Sequence, residues 1–292
     1  MIDPHFHSTY SDGQLAVSEI ADQLIKSNIQ YCALTDHNTV DGLKEMKNAL
    51  AQTSVNFISG VEMTALYNDH EIHTLVYDFD IDQAVDILKE RNEIVNKLKI
   101  EELRAATQLF KKEGFAVSDN LEPIGRCPAG LIIALDVYNN KENQELMIKK
   151  HGHLLTREEF FYTYQEVNCP CRAPLAGVSM EWIIEKFKPL TKNIMIAHPF
   201  VATSVTIKPL IEENIIELVA MGVTGVEVYH NQTSVEKIKF FEKFVADNDL
   251  FYSGGSDSHF KENKNTLLGY YNDQDLIPGF KLNDLSFSIN KP

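Results

Sequence analysis

The stretch H-F-H-S-T-Y-S-D-G at residues 5–13 places two histidines one residue apart at the end of a predicted strand. In a β-strand, side chains at positions i and i+2 leave the same face, so His5 and His7 would point to one spot. Two converging imidazoles are typical of a metal site, although an isolated H-x-H pair fits an exposed edge strand equally well. The rest of the chain decides between these interpretations.

Short apolar runs alternate with helical patterns in the first and last thirds of the chain. The apolar runs predict strands at residues 2–7, 31–35, 56–62, 71–77, 193–197, 225–229 and 250–253. Apolar residues at helical spacing predict helices at residues 17–25, 40–50, 208–221 and 234–247. Strands that alternate with helices predict a parallel sheet, either open or closed into a barrel.

The middle of the chain has a different pattern, charged and helix-favouring, with no convincing strand. Thr156 and Glu159 have the spacing of a capping box, which marks the start of a helix. We therefore expect residues 82–175 to form a helical insertion, or cap, between the two parts of one α/β domain, residues 1–81 and 176–292.

The 292 residues carry a formal net charge of −15 and are 44% hydrophobic. This composition suits a globular protein with a substantial core. An acidic chain disfavours broad binding to nucleic acid or to anionic membranes, because both need basic surfaces. The sequence shows no secretory leader pattern and no apolar run of bilayer length, which predicts a cytoplasmic protein with reduced cysteines.

Side chains able to bind metal recur where the predicted strands end. The set comprises His5, His7, Asp12, His37, Glu62, His73, His198, Asp257 and His259. Apart from His73, each lies at or just beyond the carboxyl end of a strand, where parallel α/β proteins build their active sites. One ion takes about four to six ligands, so this set predicts two or three divalent ions. Imidazole and carboxylate ligands suit zinc, manganese or iron.

The motifs H-x-H, S-D-G, T-D-H-N-T, G-V-E, I-H, A-H-P and G-S-D-x-H, in this order, resemble those of the PHP (polymerase and histidinol phosphatase) family over nearly the whole chain. The resemblance is strongest to stand-alone metal-dependent phosphoesterases, which include nucleoside 3′,5′-bisphosphate phosphatases and a 5′-to-3′ RNA exonuclease. It implies a distorted (β/α)7 TIM-like barrel with an inserted helical subdomain and a trinuclear metal centre. It also implies hydrolysis of a small phosphorylated substrate, such as a nucleotide or short RNA, by a metal-bridging hydroxide.

The resemblance also implies how the nine ligands divide among the ions. One ion would be held by His5, His7, Glu62 and Asp257. Glu62 would bridge this ion to a second one bound by His73 and His198. The third ion would be held by Asp12, His37 and His259.

Four residues are expected to serve the chemistry directly or through a neighbour: Asp257, His7, Asp36 and His230. Asp257 and His7 are expected to be essential ligands. Asp36 would either orient a neighbouring imidazole or cap a turn. His230 follows a strand, and it would contact the substrate, support a ligand or simply pack.

Two arginines of the predicted insertion, Arg126 and Arg172, are candidates for holding a substrate phosphate through bidentate hydrogen bonds. Related phosphoesterases show Arg-x-His at the start of an insertion helix. This chain has Pro128 where that histidine would stand. The arginine is present, whereas its expected partner is missing.

Three rival functions remain open at this point. Histidinol-phosphate hydrolysis uses the same motifs. An amidohydrolase-type C–N hydrolase also begins with H-x-H, but it bridges its metals with a modified lysine, and here the corresponding position holds Glu62. A non-catalytic metal-binding module would need no complete ligand set.

Overall fold

The computed structural model describes residues 1–125, 127, 129–201, 207, 209–259, 268–272 and 274–288. The chain divides into two compact units. We call the first the α/β unit; it contains Met1–Tyr67, Glu71–Lys89 and Ser179–Pro292. We call the second the helical unit; it contains Asn68–His70 and Glu90–Val178.

The first part of the chain contains β1 (Ile2–Phe6), α1 (Val17–Lys26), β2 (Tyr31–Leu34), α2 (Leu43–Leu50), β3 (Asn56–Phe57), β4 (Gly60–Tyr67) and β5 (His70–Tyr77). After the middle segment come β6 (Val178–Ser179), α7 (Met180–Phe187), β7 (Asn193–Ile196), α8 (Glu212–Met221), β8 (Gly225–Tyr229), α9 (Val235–Asp247), β9 (Phe251–Gly254), β10 (Gly279–Leu282) and β11 (Leu285–Ser288). The predicted elements are confirmed, except that residues 56–62 divide between two strands. The predictions did not include α7 or the antiparallel pair of strands β10 and β11.

The strands form two sheets. A three-stranded parallel sheet has the order β1-β2-β3, and an eight-stranded sheet has the order β11-β10-β9-β8-β7-β5-β4-β6. In the larger sheet β7, β8 and β9 run parallel, whereas β5 runs antiparallel to β7. The prediction of a purely parallel sheet is therefore wrong, and the α/β unit has a mixed sheet.

The reversal at β5 has a local cause. Only Asn68 and Asp69 separate β4 from β5, and their φ angles are 49° and 60°. Two consecutive residues with positive φ make the tight turn of a β-hairpin, in which the second strand must run back along the first. Asparagine and aspartate tolerate this conformation better than most residues.

The two sheets meet at isolated bridges, Phe6 with Ser258 and His37 with Glu62. The α/β class is confirmed. Among the described strands, continuous ladders form two sheets, and these isolated bridges join one sheet to the other. The bridges matter for function, because each joins segments that carry predicted ligands.

The core of the α/β unit lies between its strands and helices. One cluster of buried side chains comprises Ile2, Ala33, Ile58, Leu75, Tyr77, Met195, Ala197, Ile277, Phe280 and Leu282. Helix α1 buries Val17, Ile20, Ala21 and Leu24, a spacing that places one apolar face against the core. This packing holds the strand ends, and hence their polar side chains, in fixed positions.

The helical unit is built from the later part of α3 (Ile81–Lys112) and from α4 (Ala129–Asn139), α5 (Lys141–His151) and α6 (Arg157–Tyr164). Its core includes Phe110 and Phe160, whose rings are stacked with their centroids 5.7 Å apart. The predicted capping box at Thr156 and Glu159 is confirmed at the start of α6. In the part of the chain that the structure describes, no helix combines the length and apolar character needed to cross a bilayer.

Candidate metal centre

The structure brings the nine predicted ligands together at the strand ends of the α/β unit. Eight of them form three overlapping groups in which the potential ligand atoms lie within 4.8 Å of one another. The groups are His5, His7, Glu62 and Asp257; His7, Asp12, His37 and His259; and His37, Glu62 and His73. The ninth residue, His198, contacts the same centre through Glu62.

Glu62 lies at the centre of this cluster, and each of its oxygens faces a different set of imidazoles. Oε1 lies 2.8 Å from His73 Nδ1 and 3.0 Å from His198 Nε2. Oε2 lies within 3.2 to 3.3 Å of His5 Nε2, His7 Nε2 and His37 Nδ1. A carboxylate with its oxygens divided in this way is suited to bridging two ions.

The observed groups differ in part from the grouping that the resemblance implies. The group of His5, His7, Glu62 and Asp257 is the same. His37 also joins Glu62 and His73, and His7 also joins the more exposed group of Asp12 and His259. The three potential sites therefore share ligands at their junctions.

Hydrogen bonding alone does not satisfy these side chains. His5 Nε2 and His7 Nε2 lie 3.2 Å apart, and both face Oε2 of Glu62. Among the described residues, the buried Nδ1 atoms of His37 and His73 have no hydrogen-bond partner, although Glu62 oxygens lie close by. Unpaired buried nitrogens are costly, and a divalent cation is the partner that several imidazole lone pairs and a carboxylate can share. The residues therefore fit a metal centre.

The charges of the cluster also suit metal binding. Burial opposes ionisation of Glu62, but the imidazoles gathered around it outweigh burial and hold the pKa of this carboxyl well below its usual range. Burial lowers the pKa of His37 to about 3, so that ring is neutral at physiological pH. A neutral imidazole and an ionised carboxylate are the forms that bind metal.

His7 differs from His37 in its protonation. Burial opposes the charged form of His7, but hydrogen bonds with Asp257 and Glu62 outweigh it and raise the pKa of the ring to about 9. In the metal-free protein His7 therefore carries a proton at neutral pH. A metal ion must displace this proton in order to bind the ring.

The loops that carry Asp257 and His198 adopt unusual backbone conformations. Both residues have positive φ angles, 49° and 28° respectively. Gly255 allows a close approach, since a Cβ at this position would lie only 2.1 Å from the Cβ of His5. Backbone conformations that are strained, or that only glycine allows, persist where the surrounding structure fixes them. Here they set the directions of the Asp257 and His198 side chains.

His230 contacts the predicted ligand Asp257. The amide of Gln232 donates to Nδ1 of His230, so the ring proton is on Nε2, which donates to Oδ2 of Asp257 at 3.1 Å. His230 is fully buried. Of the roles considered for this residue, its contacts fit the support of a ligand.

Asp36 holds the loop after β1. It accepts hydrogen bonds from the main chain and hydroxyl of Ser8 and from the hydroxyl of Ser11. Ser11 Oγ in turn lies 3.5 Å from Nδ1 of His7. Asp36 therefore acts on the loop that follows His7, and Ser11 connects it to the His7 ring.

The two predicted phosphate-binding arginines cannot be treated alike. Arg126 lies outside the described residues. Arg172, in the helical unit, donates to the main-chain oxygens of Gln165 at 3.2 Å and Asp69 at 2.9 Å. Arg172 thus has main-chain partners within the helical unit, and its proposed role in holding a phosphate stays a prediction.

Sequence reasoning missed two buried carboxylates beside the cluster. Glu227 contacts both His5 and the main chain of His198. Asp3 accepts from the amides of Ser256 and Gly269. For Glu227 a signal was available: a single charged residue within the apolar strand G-V-E-V-Y must have a partner, since burying an unpaired charge is very costly.

The protein-family model of the PHP domain matches residues 3–262 of this sequence. The chain therefore belongs to the PHP domain family. Together with the relatives described next, this membership defines its class as a metal-dependent phosphoesterase.

Two curated relatives span most of the chain. The 3′,5′-nucleoside bisphosphate phosphatase of Chromobacterium violaceum is 26% identical over 266 residues, covering 88% of this chain and 87% of the relative. The 5′-3′ exoribonuclease of Haemophilus influenzae is 24% identical over 267 residues, covering 88% of this chain and 89% of the relative.

Two solved structures share the fold over most of their length. One is a Bifidobacterium adolescentis protein described as a metal-dependent phosphoesterase, with a TM-score of 0.60, 20% identity, and coverage of 94% of this chain and 92% of that one. The other is a Chromobacterium violaceum protein described as an amidohydrolase and solved with bound sulfate, with a TM-score of 0.61, 25% identity, and coverage of 95% and 92%.

Proposed function

We propose that this enzyme hydrolyses a phosphate ester of a nucleotide-type substrate, either a nucleoside 3′,5′-bisphosphate or a short 5′-phosphorylated oligonucleotide. The observation that carries the proposal is the centre around Glu62, where nine metal-competent side chains converge. The names of the two long curated relatives support this choice of substrate.

The proposed cofactors are two or three divalent ions, manganese, zinc or iron, held by the nine residues named above. Ions bound there would lower the pKa of water toward neutrality and neutralise phosphate oxygens as charge moves to the leaving group. Glu62 would hold two sites at a fixed separation, because its two oxygens face different imidazoles.

The direction of substrate entry follows from the exposure of the ligands. The side chains of His5 and His7 are fully buried, whereas Asp12 is 55% exposed. His37 and His259, which share a group with Asp12, are partly exposed. We place the substrate phosphate on this open side, where Asp12, His37 and His259 would orient the group that carries it.

Asp257 would present Oδ1 to the buried part of the centre, while His230 holds Oδ2. Asp36 would keep the loop after His7 in place through Ser8 and Ser11. These residues position reacting groups, which raises the effective concentration of the reactants.

We further propose that the chain forms a distorted (β/α)7 TIM-like barrel with a helical insertion at residues 82–175. Arg126 remains the candidate in that insertion for holding a second phosphate. A cytoplasmic location and a small phosphorylated substrate are parts of the same proposal.

Two alternative activities need a direct comparison. Histidinol-phosphate hydrolysis would use the same centre. The second alternative is an amidohydrolase, which is the name of one structural relative. Position 62 argues against this alternative, because it holds a glutamate where such an enzyme would have a modified lysine.

The test is a substrate panel with the Mn²⁺-loaded and Zn²⁺-loaded protein. The panel contains adenosine 3′,5′-bisphosphate, short 5′-phosphorylated RNA, histidinol phosphate, a simple monophosphate and a cyclic amide. We expect phosphate or nucleotide release from one of the first two, and its loss in His7→Ala and Asp257→Ala. Turnover of histidinol phosphate alone would assign the alternative phosphatase, and turnover of the amide alone would assign the amidohydrolase.

A further inference from the structure

Glu227 lies at the middle of β8 and is fully buried. Its Oε1 lies 2.8 Å from Nδ1 of His5, and its Oε2 accepts a hydrogen bond of 2.8 Å from the main-chain amide of His198. Each oxygen of this carboxylate thus contacts a different predicted metal ligand. Glu227 itself lies in none of the three groups of potential ligands.

The contact with His5 determines which ring nitrogen faces the cluster. A carboxylate only accepts hydrogen bonds, so Nδ1 of His5 must donate to Glu227. Nε2 of the neutral ring then carries a lone pair and points to Oε2 of Glu62 at 3.3 Å and to Oδ1 of Asp257 at 3.4 Å. Glu227 therefore selects the tautomer of His5 that can bind metal.

The contact with His198 acts on the backbone. His198 has a φ of 28°, a conformation that L-residues rarely adopt. The hydrogen bond from its amide to Glu227 stabilises this conformation, in which Nε2 of the ring lies 3.0 Å from Oε1 of Glu62. His5 and His198 approach opposite oxygens of Glu62.

We propose that Glu227 is a positioning residue that couples two metal subsites, by fixing the tautomer of His5 and the backbone of His198 with one carboxylate. This inference rests on the metal centre of the proposed function. Glutamine has the same length but only one acceptor oxygen, so it can accept only one of the two hydrogen bonds.

The test is a Co²⁺ titration of the metal-free full-length protein, followed by visible absorption, in the wild type, Glu227→Gln and Glu242→Gln. Glu242 is a matched control, because it is an exposed carboxylate that accepts a hydrogen bond from Tyr229 of the same strand. Substitution of a residue that hydrogen-bonds to a metal ligand typically weakens metal binding by about 10- to 100-fold. We expect Glu227→Gln to weaken Co²⁺ binding by this factor and to change the absorption bands, while Glu242→Gln matches the wild type.

If the Glu227→Gln variant folds and binds Co²⁺ with the affinity and the absorption bands of the wild type, the proposal is overturned. Absence of Co²⁺ binding in the wild type would instead overturn the metal centre itself, so the two failures are distinguishable. Far-UV circular dichroism reports whether the variant folds.

A second measurement needs no variant at Glu227. In the Zn²⁺-loaded wild type with ¹⁵N-labelled histidine, long-range ¹H–¹⁵N correlation spectra should show His5 protonated at Nδ1 and unprotonated at Nε2. His5 with its proton on Nε2 would contradict the proposal, even if Glu227→Gln does not fold.

Discussion

His230 donates a hydrogen bond from Nε2 to Oδ2 of Asp257 over 3.1 Å, and Oδ1 of the same carboxylate faces His7 at 3.1 Å. The imidazole thus occupies one oxygen of the ligand and directs the other toward the cluster. Asp257 has a φ of 49°, a conformation that aspartate tolerates better than most L-residues.

We expect His230→Ala to weaken metal binding by about 10- to 100-fold, because Asp257 loses the contact that orients it. Hydrolysis should fall at low Mn²⁺ and recover at high Mn²⁺. The measurement is initial rate against Mn²⁺ concentration for the wild type and the variant. A rate that stays low at saturating Mn²⁺ would instead show that His230 acts on the substrate.

Substitutions at Glu62 and at Asp12 should reduce the metal content of the protein to different extents. Glu62→Gln removes a charge from the carboxylate that faces five imidazoles, so we expect loss of ions from both subsites that it joins. Asp12→Asn should reduce the metal content by less, because this exposed residue belongs to one group only. Elemental analysis of dialysed protein measures both. Equal metal content in the two variants would contradict a bridging role for Glu62.

Metal affinity should increase with pH between 7 and about 9. His7 has a pKa raised to about 9 in the metal-free protein, so below that pH its ring holds a proton that a metal must displace. If one proton is displaced, affinity rises about tenfold per pH unit, and uptake at pH 7 releases protons. Competition with a chelator of known protonation behaviour, at pH 7, 8 and 9, measures this. Affinity that is constant over this range would contradict the displacement of a proton from the His7 ring when metal binds.

Arg172→Ala should affect stability more than catalysis. The guanidinium donates to two main-chain oxygens of the helical unit, and losing these hydrogen bonds should lower the free energy of unfolding by roughly 1–3 kcal/mol. Urea unfolding measures this change, and kcat/KM on adenosine 3′,5′-bisphosphate should stay within about threefold of the wild type. A large loss of kcat/KM with unchanged stability would instead support the predicted phosphate-binding role of Arg172.

Much of the fold could be predicted from the sequence, since it depends on local patterns. The apolar runs that became β1, β2, β5, β7, β8 and β9 are short and bounded by turn residues, and amphipathic spacing marked α1 and α9. The direction of β5 was not predicted. Its reversal depends on the turn at Asn68 and Asp69, a two-residue signal whose meaning appears only when both flanking strands are known.

The sequence by itself determined which side chains can bind metal, because these residues follow apolar strands at recognisable intervals. It could not determine which oxygen of Glu62 faces which imidazole, or that Glu227 and His230 support His5, His198 and Asp257 from β8 and the residue after it. Those relationships join residues far apart along the chain, and they depend on sheet order, burial and the direction of individual hydrogen bonds. Only the tertiary structure brings these groups within about 3 Å of one another, the range in which hydrogen bonds and metal coordination act.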